Sequence, residues 1–224
     1  MTDAIFSRRR FMHLCSAALA WLSTPAAAAQ PHNPFERVTL VDRHGDSLRA
    51  EDLVPDTDYL FFYPYVSTPC FLIRLSRPVE PVALTTEAGE TYHWRGGVGP
   101  QGEVVGFCAI CAHKLSYPAP SVSFIGFRKQ PVGYLEGERI ERRGSVIRCC
   151  SEHSIYDPAA GARVLSGPAP QPLASVTLEQ AADGSLRAVG MRGGLLYQTF
   201  FERFAFQLEL EFGPRYRDRV EGAA

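Results

Sequence analysis

The chain has 224 residues, of which 46% are hydrophobic and 21% charged, which is the composition of an ordinary globular protein. Its 23 basic and 24 acidic residues give a formal net charge of −1, so charge does not indicate nucleic acid or an anionic membrane as the partner. The length predicts one large domain, or one domain with an elaboration. Six cysteines and six histidines are the unusual feature.

Residues 1–29 have the features of an export signal. Ser7–Met12 (SRRRFM) matches a twin-arginine motif, the apolar stretch Leu14–Leu22 follows, and Ala27–Ala29 has the Ala-x-Ala cleavage pattern. The apolar stretch is shorter than the ~20 residues that span a bilayer. We therefore predict export to the periplasm, with membrane contact only through a partner or an uncleaved signal at the outer face of the inner membrane.

After residue 30 the pattern indicates short strands separated by glycine and proline. Many such strands predict an all-β fold, an antiparallel sandwich or barrel. Ala182–Gly184 is predicted to turn a hairpin. The predicted strands are Arg37–Val41, Tyr59–Tyr65, Cys70–Leu75, Glu103–Phe107, Val122–Phe127, Ser145–Arg148, Val176–Leu178 and Leu186–Val189.

Gly97–Gly102 matches G-x-G-x-x-G, the fingerprint of dinucleotide-binding proteins. That chemistry needs glycines that open a helix, whose amino terminus faces the pyrophosphate. Here the glycines precede a predicted strand and enclose Pro100. We interpret this segment as a plain loop.

The carboxyl-terminal segment combines two periodicities. Leu196, Phe200 and Phe204 recur at helical spacing, whereas apolar residues alternate with polar ones over Phe206–Phe212 and predict a strand. We expect a terminal element that covers the sheet of the main domain. A docking surface for a partner subunit is the alternative.

Two cysteine–histidine pairs follow predicted strands. Cys111 and His113 are spaced C-x-H, and Cys150 and His153 are spaced C-x-x-H. If the two loops lie side by side, they supply two thiolates and two imidazoles. This set suits a [2Fe–2S] centre with mixed ligands and also tetrahedral zinc, so the ligand types alone do not identify the metal.

Residues 96–173 resemble the Rieske iron–sulfur family. Besides the two pairs, the resemblance lies in Tyr156–Pro158 (YDP) and Gly167–Pro170 (GPAP). It implies one [2Fe–2S] cluster per chain. The ligands that it implies are Cys111 and Cys150 on one iron and His113 and His153 on the other.

The same resemblance implies roles for residues around the cluster. Ser154 and Tyr156 stand where hydroxyls would donate hydrogen bonds to the cluster, although the second loop is one residue short after its histidine. Gly167 and Pro168 would belong to the loop that covers the cluster. The 36 residues between His113 and Cys150 make a longer connection than in compact members of the family.

Membrane quinol-oxidising members of that family have a disulfide between the two loops. The corresponding positions here are Ser116 and Glu152, so that bridge is absent. We hypothesise a replacement between Cys108 and Cys149, which an oxidising compartment allows. The alternative is that both are small buried side chains. Cys70, in an apolar strand, is interpreted as a core residue.

These observations predict a base domain from residues 30–95 and 174–224, with the cluster-binding region 96–173 inserted. The resemblance implies a one-electron transfer protein, the iron–sulfur subunit of a periplasmic oxidoreductase or of a quinol-oxidising respiratory complex. Its partner would be a redox protein such as a cytochrome, quinol-oxidising or molybdenum subunit. The alternatives are an exported zinc-binding structural module and the Rieske component of an oxygenase, which should also carry a mononuclear iron site.

Overall fold

A computed structural model describes residues 32–42, 44–119 and 122–221. The export signal predicted for residues 1–29 lies outside them. The strands are β1 (His32–Thr39), β2 (Thr57–Phe62), β3 (Pro69–Arg74), β4 (Val82–Thr85), β5 (Thr91–Trp94), β6 (Val104–Cys108), β7 (Ile125–Arg128), β8 (Val132–Glu136), β9 (Arg139–Arg143), β10 (Val146–Cys149), β11 (Ile155–Asp157), β12 (Arg163–Ser166), β13 (Ser175–Gln180) and β14 (Leu186–Arg192). Helix α1 is Tyr197–Phe212, and short 3-10 helices occupy Ala50–Asp52 and Pro158–Ala160.

The strands form antiparallel sheets, which confirms the all-β prediction. The largest sheet has six strands in the order β1-β14-β13-β6-β3-β2, and a second has four in the order β12-β11-β10-β7. The hairpins β4–β5 and β8–β9 are separate two-stranded ribbons. Strand β6 leads directly into the C-x-H loop, whereas β10 and β11 flank the C-x-x-H loop.

Strands β3 and β6 lie next to each other inside the six-stranded sheet, and both of their faces are buried. Because side chains alternate across a strand, these two strands contribute to two different cores. The helix-side core includes Val38, Cys70, Leu72, Val104, Cys108, Tyr197, Phe200 and Leu208. The site-side core includes Phe71, Ile73, Trp94, Phe107, Cys111, Ile147, Cys149 and Tyr156.

The β8–β9 hairpin accounts for much of the long connection between the two cysteine–histidine pairs. It pairs Val132–Glu136 with Arg139–Arg143, and Gly137 turns it with a φ of 62°. Most of its side chains are exposed. The added residues therefore form a surface hairpin, and the strands on either side of it, β7 and β10, still pair with each other.

Helix α1 replaces the strand predicted for Phe206–Phe212, so that prediction is wrong. Phe200 and Leu208 are fully buried in the helix-side core, whereas Phe206 and Leu210 are 78% and 72% exposed. The backbone is non-helical at Phe204 (φ −113°, ψ 15°), and the two buried side chains lie on either side of this kink and face the same core. The alternation of apolar and polar residues therefore arose because two apolar side chains, Phe206 and Leu210, lie on the exposed face of this helix.

Two local predictions are confirmed. The segment Gly97–Gly102 precedes strand β6 and opens no helix, and Val98 pairs with Val104 in an isolated bridge. The hairpin between β13 and β14 turns at Ala182–Gly184, where Gly184 has a φ of 86°. Within the described part of the chain, no helix combines the length and the apolar character needed to cross a membrane.

Candidate metal centre

The first loop begins where β6 leaves the sheet. The backbone N–H of Cys111 donates to the carbonyl of Ser116 at 2.8 Å, and the N–H of Leu115 donates to the carbonyl of Cys111 at 3.0 Å. Leu115 has a φ of 59°, in the left-handed region. These contacts close the chain into a tight loop and direct the fully buried Cys111 side chain into the site-side core.

The second loop connects β10 to β11. The N–H of Cys149 donates to the carbonyl of Ser154 at 2.9 Å, which closes the loop at its base. His153 has a φ of 60°, a backbone conformation that residues other than glycine seldom adopt. Strand β10 directs Ile147 and Cys149 to the same face, and both are fully buried in the site-side core.

The two loops bring a pair of thiols together. The Cys111 and Cys149 side chains are in hydrogen-bonding contact, and the Tyr156 hydroxyl lies 3.3 Å from the Cys111 Sγ. The same hydroxyl accepts from the Ala112 N–H at 3.3 Å. Hydrogen bonding by Cys149, helped by Tyr156, lowers the pKa of Cys111 to about 6 despite its burial. The contact with Cys111 and burial raise the pKa of Cys149.

Cys150, the predicted second cysteine ligand, is not in this pair. Its side chain is exposed, and its Sγ lies 4.0 Å from Nη2 of Arg128. The structure therefore places Cys149, the preceding residue, opposite Cys111. The reason is strand alternation, because the last residue of β10 points into the core and its successor points out.

The histidines are placed differently from each other. Nδ1 of His113 is buried and has no hydrogen-bond partner among the described residues. His153 is exposed, and its Nδ1 lies 3.3 Å from Nη2 of Arg148. Across residues 32–42, 44–119 and 122–221, no three histidine, cysteine or carboxylate side chains are gathered closely enough to form a metal site.

The structure does not bring together Cys108 and Cys149, the two residues of the hypothesised disulfide. They belong to different cores. Cys108 is opposite Cys70 in the β3–β6 pair, with which it shares a hydrogen bond, whereas Cys149 contacts Cys111. Cys70 is a core residue, as the sequence predicts, but it is also half of a thiol pair.

The segment that follows the second loop packs closely against it. Gly167 has a φ of 95°, and a Cβ at this position would lie 2.6 Å from the Cα of Ser154. Only glycine fits there without displacing the backbone. Pro168 is exposed and Ala169 is buried, so the GPAP segment covers Ser154 mainly through its glycine. The Ser154 hydroxyl is itself buried without a partner among the described residues.

Asp157 fixes the chain just after Tyr156. Its carboxylate is buried, accepts from the Ala159 N–H at 3.1 Å and pairs with Arg143 at 2.8 Å. Arg163 lies 4.0 Å from the same oxygen. These contacts hold the 3-10 helix Pro158–Ala160 against the end of β11, and so they hold the Tyr156 hydroxyl toward Cys111.

The donor chemistry of this region fits the mixed-ligand cluster. Two opposed thiols come from separate loops, and the same loops hold a buried imidazole nitrogen and a buried hydroxyl that have no protein partner in the described chain. Buried polar atoms are usually paired, so His113 Nδ1 and Ser154 Oγ are free to meet a ligand, although unpaired buried hydroxyls also occur outside these loops, as at Tyr92 and Tyr117. Ligation through Nδ1 of His153 requires Arg148 to release that nitrogen.

No family model matches the chain. Among solved structures, the chain is similar to the soluble domain of Rieske protein II (soxF) from Sulfolobus acidocaldarius. The two share 24% sequence identity with a TM-score of 0.47, and the similarity covers 70% of this chain and 78% of that chain.

Proposed function

We propose that this protein is a Rieske-type one-electron carrier that holds one [2Fe–2S] cluster between the loops 111–116 and 149–154. The observation that carries the proposal is the Cys111–Cys149 thiol pair, which joins the two loops and has a tyrosine hydroxyl on one of its sulfurs. The sequence motifs around these loops support the same chemistry. When bound, the cluster supplies the site that accepts and releases one electron.

The ligands in this proposal are Cys111 and Cys149 on one iron and His113 and His153 on the other. Cys149 replaces Cys150 because it is the buried thiol that faces Cys111. The contact with Cys149 lowers the pKa of Cys111, which favours the thiolate, the form that binds metal. The exposure of His153 gives the centre an edge that another protein can approach.

Two hydroxyls would raise the reduction potential of the cluster. Burial and the neighbouring Cys111 raise the pKa of Tyr156, so this hydroxyl keeps its proton and can donate to a cysteine sulfur. The buried Ser154 hydroxyl is also available as a donor. Hydrogen bonds to the sulfurs stabilise the reduced cluster and raise its potential.

A zinc site would use the same donor residues, and analysis of the bound metal distinguishes it from an iron–sulfur cluster. The purified protein is expected to contain two irons and two acid-labile sulfides per chain. It should be coloured, and after reduction it should show an electron paramagnetic resonance signal of a cluster with mixed histidine and cysteine ligation. A colourless protein that contains zinc, and stays colourless after reconstitution with iron and sulfide, would contradict the electron-carrier proposal.

We further propose a periplasmic setting in which the protein passes its electron to another redox protein, as the iron–sulfur subunit of an oxidoreductase or of a quinol-oxidising complex. The twin-arginine motif at Ser7–Met12 supports export. Replacing Arg8 and Arg9 by lysine should move the protein from the periplasmic to the cytoplasmic fraction. An unchanged distribution would exclude this export route.

A further inference from the structure

A second thiol pair lies in the sheet and has no part in the proposed cluster site. Cys70 on β3 and Cys108 on β6 are directly opposite each other in the antiparallel register. They are 0% and 5% exposed, and their side chains are in hydrogen-bonding contact. They belong to the helix-side core, on the face of the sheet away from the core that contains Cys111 and Cys149.

The position of this pair in the ladder suits a covalent bond. Backbone hydrogen bonds join Ala109 N to the Pro69 carbonyl and Leu75 N to the Glu103 carbonyl, each at 2.9 Å. Because hydrogen-bonded and non-hydrogen-bonded pairs alternate along an antiparallel ladder, Cys70 and Cys108 form a non-hydrogen-bonded pair. In such pairs the Cα atoms are about 4.5 Å apart, within the range of about 4.4–6.8 Å that a disulfide spans.

The surroundings leave these thiols few other roles. The Cys70 Sγ lies 3.3 Å from the Tyr63 carbonyl oxygen, and the Cys108 thiol has the Tyr197 hydroxyl as a neighbour. Among the described residues, no histidine or carboxylate contributes to the pKa shift of either thiol. Hydrogen bonding by Cys70 lowers the pKa of Cys108, which increases the thiolate fraction available for attack on a disulfide.

We propose that Cys70 and Cys108 form a disulfide when the protein is in an oxidising compartment. The two thiols lose two protons and two electrons as the S–S bond forms. A small-molecule disulfide or the disulfide of a dithiol oxidase accepts the electrons, and its own S–S bond is broken to two thiols. The bond would fasten β3 to β6 immediately before the loop that contains Cys111.

The test uses the purified full-length protein, equilibrated with oxidised glutathione at increasing urea up to its unfolding midpoint, so that the core opens transiently. The protein is then unfolded in N-ethylmaleimide, digested and analysed by mass spectrometry. We expect a linked Cys70–Cys108 peptide that becomes two labelled cysteines after reduction. Maleimide label on both cysteines without prior reduction would overturn the proposal.

Two variants make the result specific. In Cys70→Ala, Cys108 should carry either the label or one glutathione and form no cross-linked peptide, and reduction should no longer lower the melting temperature. In the wild type, reduction should lower it by roughly 5–10 °C, the effect of losing a bridge that closes a long loop. Cys150→Ser changes an exposed thiol and should keep the linked peptide. The peptide readout does not depend on the cluster, so this proposal and the proposed electron-carrier function can fail separately.

Discussion

At the scale of single residues, the decisive feature is which of two adjacent cysteines faces the first loop. The C-x-x-H spacing selects Cys150, because it gives the expected distance to His153. The signal for Cys149 was also in the sequence: it follows Ile147 by two residues, so both share the buried face of β10. Spacing rules describe a motif along the chain, whereas the direction of a side chain depends on where the strand ends.

Matched substitutions separate these two cysteines. We expect Cys149→Ser to lose the cluster, because serine cannot replace a thiolate that is fully buried beside Cys111. Cys150→Ser should retain it, because this side chain is exposed. Iron content and visible absorbance per chain measure the difference. The reverse pattern would return the ligand role to Cys150 and leave the electron-carrier proposal intact.

The Tyr156 hydroxyl gives a second prediction at this scale. Tyr156→Phe removes a hydrogen bond to the Cys111 sulfur that favours the reduced cluster. A loss of about 1 kcal/mol corresponds to a midpoint potential lower by roughly 40 mV for one electron. Redox titration monitored by absorbance measures it.

The control for this prediction is Tyr59→Phe. The Tyr59 hydroxyl also accepts from a backbone N–H, that of Val54 at 2.9 Å, but it lies on the edge strand β2. Its removal should leave the potential unchanged. Equal potentials in Tyr156→Phe and the wild type would show that the Tyr156 hydroxyl has no influence on the cluster.

At the scale of elements, strands were more predictable than the terminal helix. The strand patterns around Cys70–Leu75 and Glu103–Phe107 were clear, because both faces of β3 and β6 are buried and the residues are apolar throughout. The strand predicted at Phe206–Phe212 failed, because the apolar residues on the outside of α1 hid the helical period. Local patterns do not reveal which apolar side chains remain in solvent.

Two leucines of α1 test its packing. Leu208 is fully buried in the helix-side core, whereas Leu210 is 72% exposed. Leu208→Ala is expected to lower the free energy of unfolding by about 2–4 kcal/mol through lost contacts and a cavity. Leu210→Ala should change it by less than about 0.5 kcal/mol. Denaturant unfolding measures both, and equal effects would contradict the packing of this helix.

At the scale of the whole molecule, one sheet separates two cores that have different roles. The helix-side core holds the six-stranded sheet against α1, and the site-side core joins that sheet to the strands of the second loop. Each core contains one pair of thiols, Cys70 with Cys108 and Cys111 with Cys149. The pair that we propose to oxidise is thus kept apart from the pair that we propose to bind iron.

The central position of β6 makes this separation sensitive to chain length. A deletion or insertion of one residue within Val104–Cys108 would reverse which side chains point to each face of the sheet. If the change lies before Val105, then Val105 and Phe107 turn toward α1 and Cys108 turns away from Cys70. A single length change in this short strand would therefore disturb the Cys70–Cys108 pair and the start of the loop that contains Cys111, whereas the exposed β8–β9 hairpin contains no cysteine.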